Sequence, residues 1–542
     1  MLLDRKAACF HGGVGARARR FRPWLAALAC AVAPGCTTPP VAAPIGEALV
    51  VVDTDMPVPK LAARLRADFY TTSGTWYATR DLALPSGPDA GVTTSDWPVS
   101  FAVTLDPSAA ANDVILRLRL YPEGKVRDYL GERYQERPAL CDVPGCASTT
   151  PSMCCPLVVP PAPAPLDGPR LLDASGNDVT PTSEPEPLLS VDRLLLIHLE
   201  QGVVGKAAIV LRGACTGTMA DVRSFGALAT CVDTENVRVP LTTASLDPDL
   251  TIPPSVAGSF EQGYAIPCAV TPRAPTTVGG VPLHDDEACV TGGGFVLGGI
   301  DAATGEPTDP LPERAVFVTS FLMDRYEVTV GRYRAALAQG YVPLEDLQTQ
   351  DPYCTWTSSP GGAEEEPLNC ITPENARAFC RYEGGDLPTE AQWEYAATAA
   401  GRDFKTHFPW GDGNGQPPSC ADVIYARAAG FTCTAASGPA NVDAVEHDGG
   451  DVTVAAGGAL VDLAGNAAEL TADSFAVYSS NCWLAATLGD PSCQATATTV
   501  ASRGAAFESL APSLLSTTRN VTPLNNYSQD VGFRCVRPAT KP

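Results

Sequence analysis

Residues Ile371–Ala397 read ITPENARAFCRYEGGDLPTEAQWEYAA, two short helices with their starts and stops written into the chain. Thr372 is placed to cap the first, since a threonine hydroxyl takes up an amide proton that the opening turn leaves unbonded. Pro373 follows at the one position where a missing N–H costs nothing. Gly384 ends this helix, because glycine accepts the left-handed conformation of a helix terminus. Thr389 and Gln392 then have the spacing of a capping box and open the second helix. Trp393, Ala396, Ala397 and Ala400 form its apolar stripe, and Gly401 closes it. Phe379 and Trp393 read as core residues. Upstream, EVTVGRYRAALAQG (Glu327–Gly340) repeats the scheme, with Thr329 as cap, Val330, Tyr333 and Leu337 on one face and Gly340 as stop.

Around these helices the chain is Gly-rich and loop-rich, with further short motifs in fixed order. FVLGG (Phe295–Gly299) and DRYEVTVGRYR (Asp324–Arg334) precede them. FPWGD (Phe408–Asp412), LAGNAAEL (Leu463–Leu470), SRGAAF (Ser502–Phe507) and GFRC (Gly532–Cys535) follow. Together they resemble the domain of formylglycine-generating enzymes, also called sulfatase-modifying factors, over residues 290–538. GGDLPTEAQWEYAA is the most specific of the matching stretches. The resemblance implies a compact, irregular α+β domain related to C-type lectin folds. It also implies a bridge between Cys380 and Cys535, tying the last strand to the first of the two helices. The family's second bridge has no counterpart, since its position on the third helix is Ala397.

In that family two cysteines hold copper(I), for which soft thiolates are suited. Counted from Arg503-Gly504-Ala505-Ala506-Phe507, their positions fall on Ser509 and Leu514, and no cysteine lies between Glu508 and Asp530. A hydroxyl and an alkyl chain cannot replace two thiolates, so copper and formylglycine-generating activity are not expected. A related branch uses histidine-held iron, but the histidines here (His11, His198, His284, His407 and His447) show no ligand spacing. Members of the family also bind a structural calcium in a GNxxE segment, here Gly465, Asn466, Ala467 and Glu469, and oxygen donors suit that hard cation. The competing reading is a buried turn with Glu469 paired to an arginine such as Arg503. A first calcium site would fall near Asp422-Val423.

The remaining cysteines of this region form close pairs, Cys354/Cys370, Cys420/Cys433 and Cys482/Cys493. The chain has 19 cysteines in all, a usage that points to an oxidising compartment. Its first 36 residues have a basic start (Arg17, Arg19, Arg20, Arg22), an apolar stretch from Trp24 to Ala33, and then Cys36. This apolar stretch is too short to span a bilayer, which takes roughly 20 residues. It resembles a bacterial lipoprotein signal with lipid on Cys36, Cys30 being the alternative. The expected location is the cell envelope, anchored in the outer membrane. With a net charge of −24 the chain is unsuited to nucleic acid or anionic lipid surfaces.

A tether over 37–47 leads into residues 48–250, whose polarity alternates with a period of two. Leu65, Ala67 and Phe69 interleave with Arg64, Arg66 and Asp68, and Leu116, Leu118 and Leu120 with Arg117 and Arg119. Such runs predict half-buried strands with one polar face in an antiparallel β-sandwich, immunoglobulin-like among the candidates. Pro156–Pro169 reads as an extended loop, and 251–289 as a linker. Two domains are therefore expected: an all-β N-terminal one, then the α+β one. The function expected is an exported binding or structural module for a peptide, protein or glycan. The alternative is a divergent enzyme using Ser509, Arg503, Arg519 and Asn520.

Overall fold

The computed structural model describes residues 46–83, 97–128, 171–220, 227–299, 310–411, 418–428, 430–433, 437–444, 452–454 and 458–540. The signal segment with Cys36 and Cys30, His447 and the Pro156–Pro169 stretch lie outside the described residues.

The N-terminal region is mostly strands in several sheets. Glu47–Thr54 lies between Val99–Thr104 and Val204–Leu211. A second sheet runs Trp76–Ala83, Arg64–Thr71, Ala111–Tyr121, Val191–Glu200. Alternate residues of both sheets (Val50, Val52, Leu65, Leu116, Leu118, Ile197) meet in one apolar cluster. Two expectations change. Glu47–Thr54 and Val204–Leu211 pair in parallel, so the architecture is not purely antiparallel. The polar face of the second sheet does not meet solvent either. Arg66, Asp68, Arg117, Arg119 and Asp192 are all buried there. Arg117 grips Asp192 at 2.7 Å, and Asp68 lies between Arg66 and Arg119. Tyr70, Trp76, Leu194, Ala220 and Leu228 pack on that same side. Alternation tells which side chains share a face, not whether a later segment covers it.

Within 251–289, residues 251–282 are exposed or half-buried, and two of their aromatic rings pack against the C-terminal half. Phe260 meets the Phe317 ring edge-on at 4.8 Å and Tyr264 stacks on it at 5.0 Å. Phe317 itself joins the N-terminal apolar cluster together with Val296 and Ala315, so one core runs across the seam. Gly213 is required here, because a Cβ at that position would come within 2.8 Å of the Phe260 ring. Phe260→Ala is expected to lower stability by about 2 kcal/mol, less than a wholly enclosed phenylalanine would cost. Thermal unfolding followed by near-UV signal measures it, and an unchanged midpoint would contradict the seam's role.

C-terminally, the three helices form where their caps lie. Helix α1 is Val330–Ala338, α2 is Pro373–Tyr382 and α3 is Glu390–Thr398. Thr329, Thr372 and Thr389 accept the capping hydrogen bonds, and Thr389 with Gln392 completes a capping box. Phe379 and Trp393 are fully buried. A three-stranded sheet joins Glu287–Val290, Phe321–Asp324 and the terminal Val536–Pro538. A four-stranded one orders Asn520–Pro523, Thr499–Arg503, Ala468–Ser474, Val531–Gly532. Disulfides join Cys354–Cys370, Cys380–Cys535, Cys420–Cys433 and Cys482–Cys493, and upstream Cys215–Cys231 and Cys268–Cys289.

Candidate functional site

The GNAAEL turn lies at the centre of the C-terminal core. Gly465 and Asn466 both have positive φ, +99° and +59°, and this turns the backbone so that Asn466 N–H donates to the Ile424 carbonyl at 2.9 Å. Asn466 Nδ2 donates to Glu327 at 2.9 Å, and Ala467 N–H reaches the other Glu327 oxygen, also at 2.9 Å. Glu469 takes Arg534 Nε on both oxygens at 2.8 Å, and Trp393 Nε1 donates to it at 2.7 Å. Burial raises the Glu469 carboxyl above its ordinary value, against the pull of Arg534. Glu327 is pushed up further, by burial and by the charges of Asp462 and Glu469.

This geometry bears on a cation at the turn. Asn466 Oδ1 accepts from Ala440 N–H and its carbonyl from Phe507 N–H. Glu469 is committed to an arginine, although to Arg534 rather than Arg503. The GNAAEL donors therefore do not fit a calcium ion, which would have to displace a guanidinium. Asp422 is exposed while Val423 is buried in an apolar cluster. Among the described residues one acid–cysteine group, Asp351 with Cys354 and Cys370, has metal-like proximity, but its two sulfurs form a disulfide.

Ser509 and Leu514 occupy different surroundings. Ser509 is half-buried and its Oγ accepts the Ala506 N–H at 2.9 Å. Leu514 has 0% exposure, enclosed by Val423, Tyr425 and Ala505 with Phe408 and Trp410 alongside. All twelve cysteines among the described residues are disulfide-bonded.

Arg503 and Arg519 do not join Ser509. Both converge on Glu390: Arg503 Nη1 at 2.9 Å, Arg519 Nε and Nη2 at 2.6 Å. Arg503 also reaches Glu394 at 2.5 Å, and Lys405 approaches that carboxylate from the other side at 2.5 Å. Burial opposes the Glu394 charge, yet Lys405 and Arg503 hold its carboxyl below the ordinary value. Asn520 is exposed on an edge strand. The four residues thus make no common cleft, and two of them form a buried ion network. Sequence reasoning passed over Glu390 and Glu394. Their i, i+4 spacing within TEAQWEYAA, on a helix whose other buried residues are mostly apolar, was the available signal.

Asp530 interacts with two other carboxylates, Asp351 and the chain neighbour of Ser509, Glu508. Burial pushes Asp530 up to about 6, with Glu508 and Asp351 adding to the effect. A group whose folded value is raised contributes stability at low pH and loses it as pH rises through that value. Asp530→Asn, which stays neutral, is therefore expected to melt above wild type once pH exceeds about 6. The expected rise is about 2–4 °C, equivalent to ~1 kcal/mol after allowance for solvent screening. No gain is expected near pH 4, on the order of an ordinary carboxylate's value. Equal shifts at both pH values would remove Asp530 as the source.

Comparison with known proteins adds the following. Residues 277–539 match the Sulfatase-modifying factor enzyme 1-like domain. A relative from Thermomonospora curvata, described as a formylglycine-generating enzyme, is 30% identical over 23% of this chain and 51% of its own length. The chain thus spans about half the length of that relative. Similar solved structures include PvdO from Pseudomonas aeruginosa, with 20% identity and a TM-score of 0.37 over 50% of this chain and all of that one. CarF has 19% identity and a TM-score of 0.30 over 47% and 98%. The variable protein 1 of Treponema denticola has 14% and 0.33 over 49% and 98%.

Proposed function

From the premise that residues 277–539 form a sulfatase-modifying-factor-like domain, we propose that this domain does not make formylglycine and serves as a binding or structural module. The observation that carries the reading is Leu514, fully enclosed among apolar side chains where the second copper thiolate of the family would stand. Ser509, at the first, is a hydroxyl held by a local backbone amide. Neither residue type binds copper(I) with useful strength. Every described cysteine is already spent in a disulfide.

The protein is exported and carries lipid on Cys36, which places it in the outer membrane with both halves on the outside of the anchor. This reading rests on the basic-then-apolar start and on the disulfide-rich composition. No described helix is long and apolar enough to cross a membrane, so attachment would come from the lipid. The strand-rich N-terminal region, taken as an immunoglobulin-like sandwich, would hold the second module away from the membrane. The ligand of that second module is a peptide, protein or glycan.

The test is direct. Purified protein is incubated with copper(I), oxygen and a Cys-x-Pro-x-Arg peptide, and the peptide is followed by mass spectrometry with an aldehyde-trapping hydrazide. Unmodified peptide is the expected result. Aldehyde formation that depends on the protein overturns the proposal. Cys36→Ala is expected to move the protein from the membrane fraction to the soluble one.

A further inference from the structure

Arg314 opens the strand Arg314–Val318 and is only 8% exposed. Eight arginines among the described residues are this deeply buried, and seven of them pair with a carboxylate. Arg314 alone does not. Its guanidinium donates to the carbonyls of Trp483 and Ala486, the latter at 2.9 Å, and its Nε is buried without a partner. Burial drags its pKa down to about 10, and no acid among the described residues supports the charge. A buried cation held only by carbonyl dipoles is costly, and folded chains keep one where something anionic meets it.

Arg314 lines a cavity of about 480 Å³ at the seam between the N-terminal sheets and the C-terminal domain. That volume is in the range of small-molecule sites. Lining it with Arg314 are Thr216, Thr218, Asn236 and Arg238 from the N-terminal side and Ala486 and Leu488 from the C-terminal one. Among the described residues the wall holds two guanidinia and no carboxylate, in a chain whose net charge is −24. Thr218 Oγ1 donates to Asn236 Oδ1, and this leaves the Asn236 amide nitrogen as a further donor. The planar Arg314 guanidinium, with its Nε–H unbonded, matches the oxygens of a carboxylate, sulfate or phosphate.

We propose that this seam pocket binds a small molecule bearing an oxyanion, with Arg314 and Arg238 as its cationic contacts and Asn236 as a neutral donor. The site is built jointly by both halves of the chain and is independent of whether the C-terminal domain is catalytic.

The full chain is titrated calorimetrically with sodium sulfate, sodium phosphate and sodium malonate, at an ionic strength held constant with sodium chloride. Saturable binding of at least one is expected, and the order of the three separates carboxylate from tetrahedral oxyanion ligands. Arg238→Gln, on the more exposed wall, is expected to weaken binding about tenfold or more, the change that follows from losing a charge-assisted contact. Arg314→Lys keeps the charge but loses the planar fork and is expected to weaken it as well. Absence of saturable binding for all three anions overturns the proposal. So does binding that is unchanged in both variants.

Discussion

Cys535→Ser is expected to yield protein that fails to reach, or to hold, its folded state. The disulfide to Cys380 closes a loop with a sequence separation of 155 residues, the longest in the described chain. For a loop of that length the chain-entropy contribution is about 5 kcal/mol. Typical domain stabilities of about 5–15 kcal/mol leave little after that loss. Both cysteines also lie in the apolar core beside Phe379 and Phe533, where a serine hydroxyl has no water to bond. The measurement is the yield of soluble folded protein and its thermal midpoint, with Ser509→Ala as the control that folds normally. Recovery of stable Cys535→Ser protein at normal yield would show that packing alone holds the terminus.

Arg534→Leu should cost nearly as much, through electrostatics. Arg534 is fully buried, pairs with Glu469, and also donates to the carbonyls of Asp324, Arg325 and Val461. Removing it leaves the Glu469 carboxylate buried without its cation, near Glu327 and Asp462. Breaking one side of such a pair costs about 3–5 kcal/mol. The burial of Glu327 and Glu469 already raises their carboxyl values, and Arg534 is what opposes that rise. Without it both would be raised further, so the variant's deficit should be smaller at acidic than at neutral pH. Chemical denaturation at two pH values checks this. A deficit equal at both would mean that the loss is one of packing.

How much of this was legible depends on the kind of signal each element leaves. The three helices were readable because a cap is local: threonine, proline and glycine at set offsets specify start and stop within one turn. Ser509 and Leu514 could be located by counting, but the enclosure of Leu514 comes from Val423, Tyr425 and Phe408, which no local pattern brings together. The second sheet shows the limit of periodicity. Arg66, Asp68, Arg117 and Arg119 alternate as a solvent-facing row would, yet the cover over them comes from residues beyond Leu171. Parallel pairing of Glu47–Thr54 with Val204–Leu211 was equally hidden, since a strand's own residues do not name its neighbour. Arg503 and Arg519 illustrate a different gap. Charges near a functional motif read as chemistry, and here they neutralise two inward-facing glutamates of α3.

The last few residues of the described chain complete several separate parts of the C-terminal fold. Val536–Pro538 finish a sheet with Phe321–Asp324, Cys535 closes its bridge to α2, and Arg534 supplies the only cation bonded to Glu469 among the described residues. Synthesis delivers a chain from its beginning, so these parts emerge after the segments that they complete. Until they do, Glu469 has no counter-charge and the strand before α1 has an open edge. Folding of this region is therefore expected to wait until residues 534–538 have emerged. A chain cut short before Arg534 would leave a region that never closes, and the cell could recognise it by that alone.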